Sequence, residues 1–353
     1  MDFTELASYR APLEKLLRAD YAAARRAADA PFAPFLNDLA EFTLRGGKRF
    51  RALLVLAGYH LATGKDPEVV LPAAAALEHF QSWMLVHDDI IDHSAQRRGG
   101  PTLHLALAQR HQVTGLLGDA EAFGVGMGIT LGDLQEPFTV GAILSVRVPV
   151  GRRQAALLEY VRMTRDTAYG QLLDIENGAT PVERIREADV LRVHRLKSAV
   201  YTVASPLRIG AMLGGAPAAL LADLEAVGID LGIAFQLRDD ILGTGVGGDQ
   251  IGKSANDLVE GKRTLLVVKA LAATDAAGRS VLESVLGEPA ASPDQVRAAR
   301  EVIVASGSLA YSEAKIRRLT RRAFQRIDRS SALREPGRLL LREIGERLVQ
   351  RSV

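Results

Sequence analysis

The stretch Leu85-Val86-His87-Asp88-Asp89-Ile90-Ile91-Asp92-His93 constrains what this chain can be more than any other part of it. Three aspartates interrupt an otherwise apolar helical pattern. Asp88 and Asp92 are spaced i and i+4, so on a helix both point from one face, with Cβ atoms about 5–6 Å apart. Like charges at that spacing weaken an isolated helix. One reading is a solvated acidic face, but Val86, Ile90 and Ile91 are too apolar for a fully exposed surface. The other is a hard divalent cation, since Mg²⁺ commonly takes one or two carboxylates and completes its shell with water and substrate phosphates.

A second stretch repeats the theme much later: Phe235-Gln236-Leu237-Arg238-Asp239-Asp240-Ile241-Leu242-Gly243. Two acidic helices facing one another across a bundle would form a multi-metal clamp for a diphosphate. The motif order is then specific. Asp88-Asp89-x-x-Asp92 is followed by Arg97-Arg98-Gly99, and later by Phe235-Gln236-x-x-Asp239-Asp240. This resembles the trans-isoprenyl diphosphate synthases of the polyprenyl synthetase family, of the short-chain type that makes farnesyl or geranylgeranyl diphosphate. The likeness runs from about residue 46 to residue 264. It implies an all-α, single-domain isoprenoid synthase-type bundle around a central active-site cavity, spanning 1–353, with N-terminal helices over 1–45 and basic C-terminal helices over 316–353.

The same resemblance implies roles for other residues. Gly46-Gly47-Lys48-Arg49-Phe50-Arg51 places glycines beside three cations, and taken alone it could be a basic turn before a helix over 52–62. By likeness, Lys48 and Arg51 bind the diphosphate of isopentenyl diphosphate, helped by Gln81 and Arg98. A guanidinium suits forked phosphate contact. Arg97 and Arg98 are assigned to substrate diphosphates. Gly170-Gln171-Leu172-Leu173-Asp174 and Lys197-Ser198-Ala199 resemble segments at the allylic diphosphate, which gives Gln171, Lys197 and Ser198 that role. Gln236 and two late lysines, Lys253 and Lys262, complete the substrate contacts. Asp88, Asp92 and Asp239 are the metal ligands, implying three Mg²⁺ per site. With Lys197 they would drive ionisation of the allylic substrate. Many family members carry a third aspartate where this chain has Gly243, so Asp239 becomes the main ligand on that side.

Product length is read from the residues before Asp88. Met84 lies one turn earlier and within about 40° of the direction of Asp88, whereas Trp83 lies about 140° round. The family uses both positions as a floor under the growing chain. Two large residues there favour a fifteen- or twenty-carbon product, although Trp83 also reads as an ordinary core anchor.

Composition narrows the rest. The net charge of +2 gives no bulk attraction to nucleic acid. The absence of cysteine excludes disulfides, thiolate metal sites and cysteine nucleophiles, and suits a cytoplasmic protein. The start, Met1-Asp2-Phe3-Thr4-Glu5, lacks a basic-then-apolar signal. The longest uncharged run, 209–222, falls short of the roughly 20 apolar residues of a membrane span, so no stable insertion is expected. Helices are expected through 1–45 with a break at Pro31 and Pro34, over 71–93, and through the arginine-rich end, where Ile316, Leu319, Phe324 and Ile327 keep helical spacing. Glycines 124, 126, 128 and 132 have no strand before them, so close helix packing explains them better than a nucleotide loop. A class I terpene cyclase needs no second diphosphate site, and the Gly46–Arg51 motif speaks against it. A non-catalytic partner subunit is favoured only by Gly243. The resemblance also implies a homodimer.

Overall fold

The computed structural model describes residues 1–246 and 256–350. Packing divides the chain into two compact units, Met1–Leu158 with Pro206–Ala216, and Glu159–Ser205 with Pro217–Val353. The first carries α1 (Phe3–Ala7), α2 (Arg10–Ala27), α3 (Ala33–Leu44), α4 (Phe50–Thr63), α5 (Leu71–Ile91), the two-residue strands β1 (Gln96–Arg97) and β2 (Gly100–Pro101), α6 (Leu103–Val113), α7 (Ala120–Asp133) and α8 (Gln135–Ser145). Helix α9 (Val150–Ala179) leads into the second unit. There α10 (Glu187–Val193) runs into a π-helix (His194–Ala204), and α11 (Ser205–Gly214) belongs to the first unit. The second unit continues with α12 (Ala218–Thr244), α13 (Asn256–Val259), α14 (Leu265–Ala273), α15 (Ala276–Glu283), α16 (Pro293–Ala305), α17 (Ser308–Arg329) and α18 (Glu335–Val349). The all-α expectation holds.

Local rules explain most boundaries. The prolines break the N-terminal segment as expected: Ala28 is extended, Ala30–Phe32 form a 3₁₀ turn, and Pro34 sits in the first turn of α3, where its missing N–H costs nothing. Helix α4 stops at Gly64, whose φ of 68° supplies the left-handed cap. Helix α5 ends at Ile91 rather than His93, because Asp92 forms its C-cap and His93 turns left-handed at φ 50°. The segment after it is a β-hairpin rather than a simple break. Gln96 pairs with Pro101 and Arg97 with Gly100, and Arg98 and Gly99 turn at φ 52° and 76°, as a two-residue type I′ turn demands.

In the first unit α5 is the core helix, packed on α4, α7 and α8. Ala73 to Leu77 and Phe80 are fully buried. By length and composition α5 with its preceding turn could cross a membrane, but 67% of that apolar window is buried inside the protein. Helix α4 is buried all round, and α11 crosses it with backbones touching. A Cβ on Gly58 would lie 2.0 Å from the Leu207 carbonyl oxygen, and one on Gly210 1.8 Å from that of Val55. Three of the α7 glycines serve the same end: Gly124 abuts the His104 carbonyl, Gly128 the Ile90 side chain and Gly132 the His87 ring, whereas a Cβ on Gly126 would meet nothing within 4 Å.

In the second unit α12 takes the central place, against the π-helix, α17 and α18. Gly228 and Gly232 admit the π-helix so closely that a Cβ on either would lie 2.5 Å from the Cα of Ala204 or Ala199. Leu237 and Ile241 of α12 share a core with α14, α16 and Ile316 and Leu319 of α17. Leu319 and Ile327 are buried, so the arginine-rich C-terminal helix packs by its apolar stripe as its spacing implied.

Candidate active site

In the first unit the acidic motif closes α5. The amide of Asp92 still bonds the Asp88 carbonyl at 2.8 Å, so the two carboxylates keep the spacing expected of them, and both are half-buried. Asp89, one residue on, turns into the protein and is wholly buried. Arg97 Nε donates to Asp89 Oδ1 at 2.8 Å, and its Nη2 donates to the same oxygen. Although burial opposes it, this pairing and the Asp88 and Asp92 charges raise the Arg97 pKa above its ordinary value. Arg97, expected at a substrate diphosphate, is thus engaged by Asp89. The hairpin is tied down on its other side by Arg45 Nη1, which donates to the carbonyls of Pro101 at 2.7 Å and Arg97 at 3.2 Å.

The basic loop lies beside that hairpin. Arg49 is nearly buried with a left-handed φ of 52°. Its Nη1 donates to Glu78 at 3.0 Å and to the Thr43 carbonyl at 3.0 Å. This fixes the start of α4 and hence Arg51, two residues into it. The Arg98 guanidinium reaches the loop: Nη1 donates to the Arg45 carbonyl at 3.3 Å, and a Cβ on Gly47 would meet its terminal atoms at 3.4 Å. Burial, then the nearby charges of Arg49, Arg51 and Arg97 against Glu78, pull the Arg98 pKa below its ordinary value. Arginines crowded in this way repel one another, and an anion among them relieves the repulsion. Lys48 is exposed, with its carbonyl held by Arg10 at 3.1 Å. Gln81 is buried on α5, and its Oε1 has no partner among the described residues.

Backbone strain marks the same places. Arg49, His93 and Arg98 are the non-glycine residues with positive φ among those described, and each lies in or next to a motif. Strain of that kind persists where the surroundings hold it, often at ligand clamps. Below the acidic motif, the half-buried Trp83 sets its ring edgewise to Phe80 and His87, at 5.9 and 6.3 Å between centroids. Met84 is half-buried next to it.

In the second unit the chemistry gathers on α9, the π-helix and the end of α12. Gly170 lets α9 press on the π-helix backbone, where its Cβ would lie 2.2 Å from the Lys197 nitrogen. Lys197 Nζ donates to Asp174 at 2.5 Å. Gln171 and Ser198 are half-buried close to that pair in sequence. On α12, Asp239 is half-buried, whereas Asp240 is buried and already held: Gln236 Nε2 donates to its Oδ1 at 2.9 Å and His194 Nε2 lies 3.1 Å from its Oδ2. Gln236 therefore touches Asp240, where a substrate contact was expected. Lys262 Nζ lies 3.2 Å from Asp257 and 2.8 Å from Glu260. Lys253 falls outside the described residues.

Asp89, Arg45, Asp257 and His194 were not singled out by their sequence context. Only Asp89 carried a signal: it sits 100° round from Asp88 on a helix, on the side of buried Val86.

Residues 33–303 match the polyprenyl synthetase family model. The chain is 34% identical over 312 residues to geranylfarnesyl diphosphate synthase of Aeropyrum pernix, covering 87% of this chain and 91% of that protein. It is 32% identical over 277 residues to (2E,6E)-farnesyl diphosphate synthase of Mycobacterium tuberculosis, covering 77% and 71%. Its structure resembles geranylgeranyl pyrophosphate synthase from Corynebacterium glutamicum, solved with isoprenyl diphosphate and magnesium, at a TM-score of 0.89 and 33% identity over 98% of this chain and 99% of that one. The chain belongs to the polyprenyl synthetase family, and its reaction class is that of the trans-prenyltransferases.

Proposed function

We propose that the protein condenses isopentenyl diphosphate with an allylic diphosphate to a short-chain trans-prenyl diphosphate, releasing diphosphate, with Mg²⁺ as cofactor. The observation that carries this reading is the crowding of Arg98 and Arg49 at Gly47, with Arg51 near enough to help pull the Arg98 pKa down. It is a ready anion cradle beyond what a one-diphosphate terpene cyclase needs.

Asp88 and Asp92 would hold divalent metal at the end of α5, and Asp239 would do so at the end of α12. The donor set fits. It is oxygen only, and among the described residues no three His, Asp or Glu side chains gather as a metal-holding group. A cation there must complete its shell with water and phosphate oxygens, as Mg²⁺ commonly does. When bound, the metal offsets the negative charge that grows on the departing diphosphate. Three ions per site and a homodimer in the cytoplasm rest on the family resemblance and the cysteine-free composition alone.

Lys48, Arg51, Gln81 and Arg98 bind and orient isopentenyl diphosphate, whose double bond attacks the allylic carbon. Lys197, with Gln171, Ser198, Lys253 and Lys262, takes the allylic diphosphate. Asp174 holds Lys197 ready at 2.5 Å until that anion arrives. Arg97 acts through Asp89, fixing the hairpin that presents Arg98. Positioning of the two substrates supplies much of the rate. No side chain is an obvious base, and the departing diphosphate takes the proton.

Trp83 and Met84 form the floor that limits the product to fifteen or twenty carbons. Incubating the protein with isopentenyl and dimethylallyl diphosphates and Mg²⁺, then chromatographing the dephosphorylated products, tests the reading. The expected products are chains of fifteen or twenty carbons, longer by one or more five-carbon units in the Trp83→Ala, Met84→Ala double variant. Chains of thirty carbons or more from the wild type, or no change in the variant, would remove the floor from these residues. No condensation at all would remove the function.

A further inference from the structure

The core of the first unit contains a polar cluster sealed from solvent. Tyr21 of α2, Thr43 of α3, His79 of α5 and Gln135 of α8 are each at most 1% exposed. The Gln135 amide joins them. Its Nε2 donates to the Tyr21 hydroxyl at 2.9 Å and to Thr43 Oγ1 at 3.0 Å. Its Oε1 accepts from Tyr21 at 3.0 Å and lies 3.1 Å from His79 Nδ1. The Tyr21 and Thr43 hydroxyls are 2.7 Å apart, and His79 Nε2 reaches Asp20 Oδ2 at 3.3 Å. Phe138 stacks on the His79 ring with 5.1 Å between centroids, and Tyr21 meets that ring edge-on at 5.4 Å. Burial pushes the Tyr21 phenol pKa above its ordinary value, so the hydroxyl stays neutral.

Stability alone does not call for such a cluster. Each buried polar group loses water and gains only a partner, and apolar side chains of the same shape would pack there without that cost. A fully connected network instead fixes one arrangement of the elements that carry it. Here that arrangement leads to Arg49. The two shortest hydrogen bonds from the Arg49 guanidinium, both 3.0 Å, go to the Thr43 carbonyl and to Glu78. Thr43 belongs to the cluster through its side chain, and Glu78 precedes His79 on α5. Both anchors of Arg49 are therefore set by the cluster. Arg49 stands at the N-cap of α4 with a left-handed φ of 52°, a strained turn that persists only because its surroundings hold it. Lys48 precedes that turn and Arg51 follows it.

We propose that Tyr21, Thr43, His79 and Gln135 are positioning residues for the Gly46–Arg51 loop. Their side chains are too deeply buried to meet substrate, and they act through Arg49 on the affinity for isopentenyl diphosphate. This rests on the assignment of that loop to isopentenyl diphosphate.

Steady-state kinetics with isopentenyl and dimethylallyl diphosphates varied in turn tests it, with circular dichroism to confirm folding. Tyr21→Phe keeps the ring packing and removes the hydroxyl. Thr43→Val removes the other hydroxyl and leaves the carbonyl in place. Each should raise the KM for isopentenyl diphosphate about 3- to 10-fold, the scale of one lost hydrogen bond, and leave that for dimethylallyl diphosphate within about 2-fold of wild type. Thr43→Ser restores a hydroxyl and should bring the first KM back to within about 2-fold of wild type. A merely structural role would lower the amount of folded enzyme, and so kcat, with both KM values unchanged. That result in either variant, an equal rise in both KM values, or a Thr43→Ser variant as impaired as Thr43→Val would overturn the proposal. Arg51→Ala separates this role from the site assignment. If it raises the KM for isopentenyl diphosphate while Tyr21→Phe and Thr43→Val do not, only the positioning role falls. If none of the three raises it, the assignment of the loop to that substrate falls as well.

Discussion

The buried carboxylate of Asp89 and the guanidinium of Arg97 hold one another across the turn that follows α5. Asp89 stands between two residues proposed to bind metal, yet its partner is protein. The aspartates of one motif thus divide their tasks, with Asp88 and Asp92 half-exposed at the helix end and Asp89 anchoring the hairpin. Removing one member of a buried pair leaves the other uncompensated and costs about 3–5 kcal/mol. Since Arg97 is 31% exposed, the lower end applies. Asp89→Ala should lower the Tm by several degrees, whereas Asp88→Asn should leave it nearly unchanged. Differential scanning calorimetry of both variants checks the division, and equal Tm values would contradict it.

The crossing of α4 and α11 makes a packing prediction within the first unit. Gly210→Ala puts a methyl group 1.8 Å from the Val55 carbonyl oxygen, so the helices must separate. Overpacking of this kind costs roughly 1–3 kcal/mol or more. Gly141 in α8 has nothing within 4 Å of its Cβ position, so Gly141→Ala should be neutral or stabilise by up to about 1 kcal/mol. Urea unfolding of the two variants should shift the midpoint down in the first and not in the second.

A stability–pH relation follows from Glu187 in the second unit. Burial would raise its pKa, but hydrogen bonds from Lys269, Lys315 and Tyr311 outweigh it and hold the value at about 2. A folded-state pKa below the unfolded one means stability that is present above about 4.5 and lost as pH falls toward 2. Glu187→Gln should therefore destabilise the protein at pH 7, by on the order of 1 kcal/mol, and by progressively less below pH 4. A Tm difference from wild type that stays constant from pH 7 to pH 3 would refute the coupling.

The two diphosphate roles should separate in kinetics. Arg51→Ala should raise the KM for isopentenyl diphosphate more than for the allylic substrate, and Lys197→Ala should do the reverse. Asp174→Asn should raise the KM for the allylic substrate too, but less than Lys197→Ala, because it loosens Lys197 without removing it. Equal effects of Arg51→Ala and Lys197→Ala on both substrates would contradict separate binding roles.

Much of this was legible in sequence where local chemistry decides. The proline break before α3, the helical reading of the glycine stripe in α7, the apolar face of α17 and the i, i+4 spacing of Asp88 and Asp92 all follow from rules that act within a few residues. What was not legible depends on distant neighbours. Asp89 and Asp88 are the same residue type, and only the core beneath α5 tells them apart. Arg97 and Arg98 read alike, but the hairpin turn sends one to Asp89 and the other toward Gly47. The left-handed backbone of Arg49 has no sequence signature, because arginine gains nothing from that conformation by itself. Gly243 read as a loss because Asp257 of α13, whose carboxylate takes the space of a side chain there, is fourteen residues away in sequence. The sequence placed Gln236 at a substrate but gave no sign that its amide donates to Asp240, four residues on.

The central claim is that carboxylate-held divalent metal drives transfer of a prenyl group onto isopentenyl diphosphate. Turnover of isopentenyl diphosphate with an allylic diphosphate at saturating Mg²⁺ measures it directly in wild type, Asp88→Ala and Asp239→Ala. The account predicts Mg²⁺-dependent elongation by wild type, abolished by chelation, with each variant folded but slower by at least about 10²-fold, the scale of losing one main electrostatic contact in the transition state. Near-wild-type turnover in both variants, or elongation that survives removal of divalent cations, would contradict it.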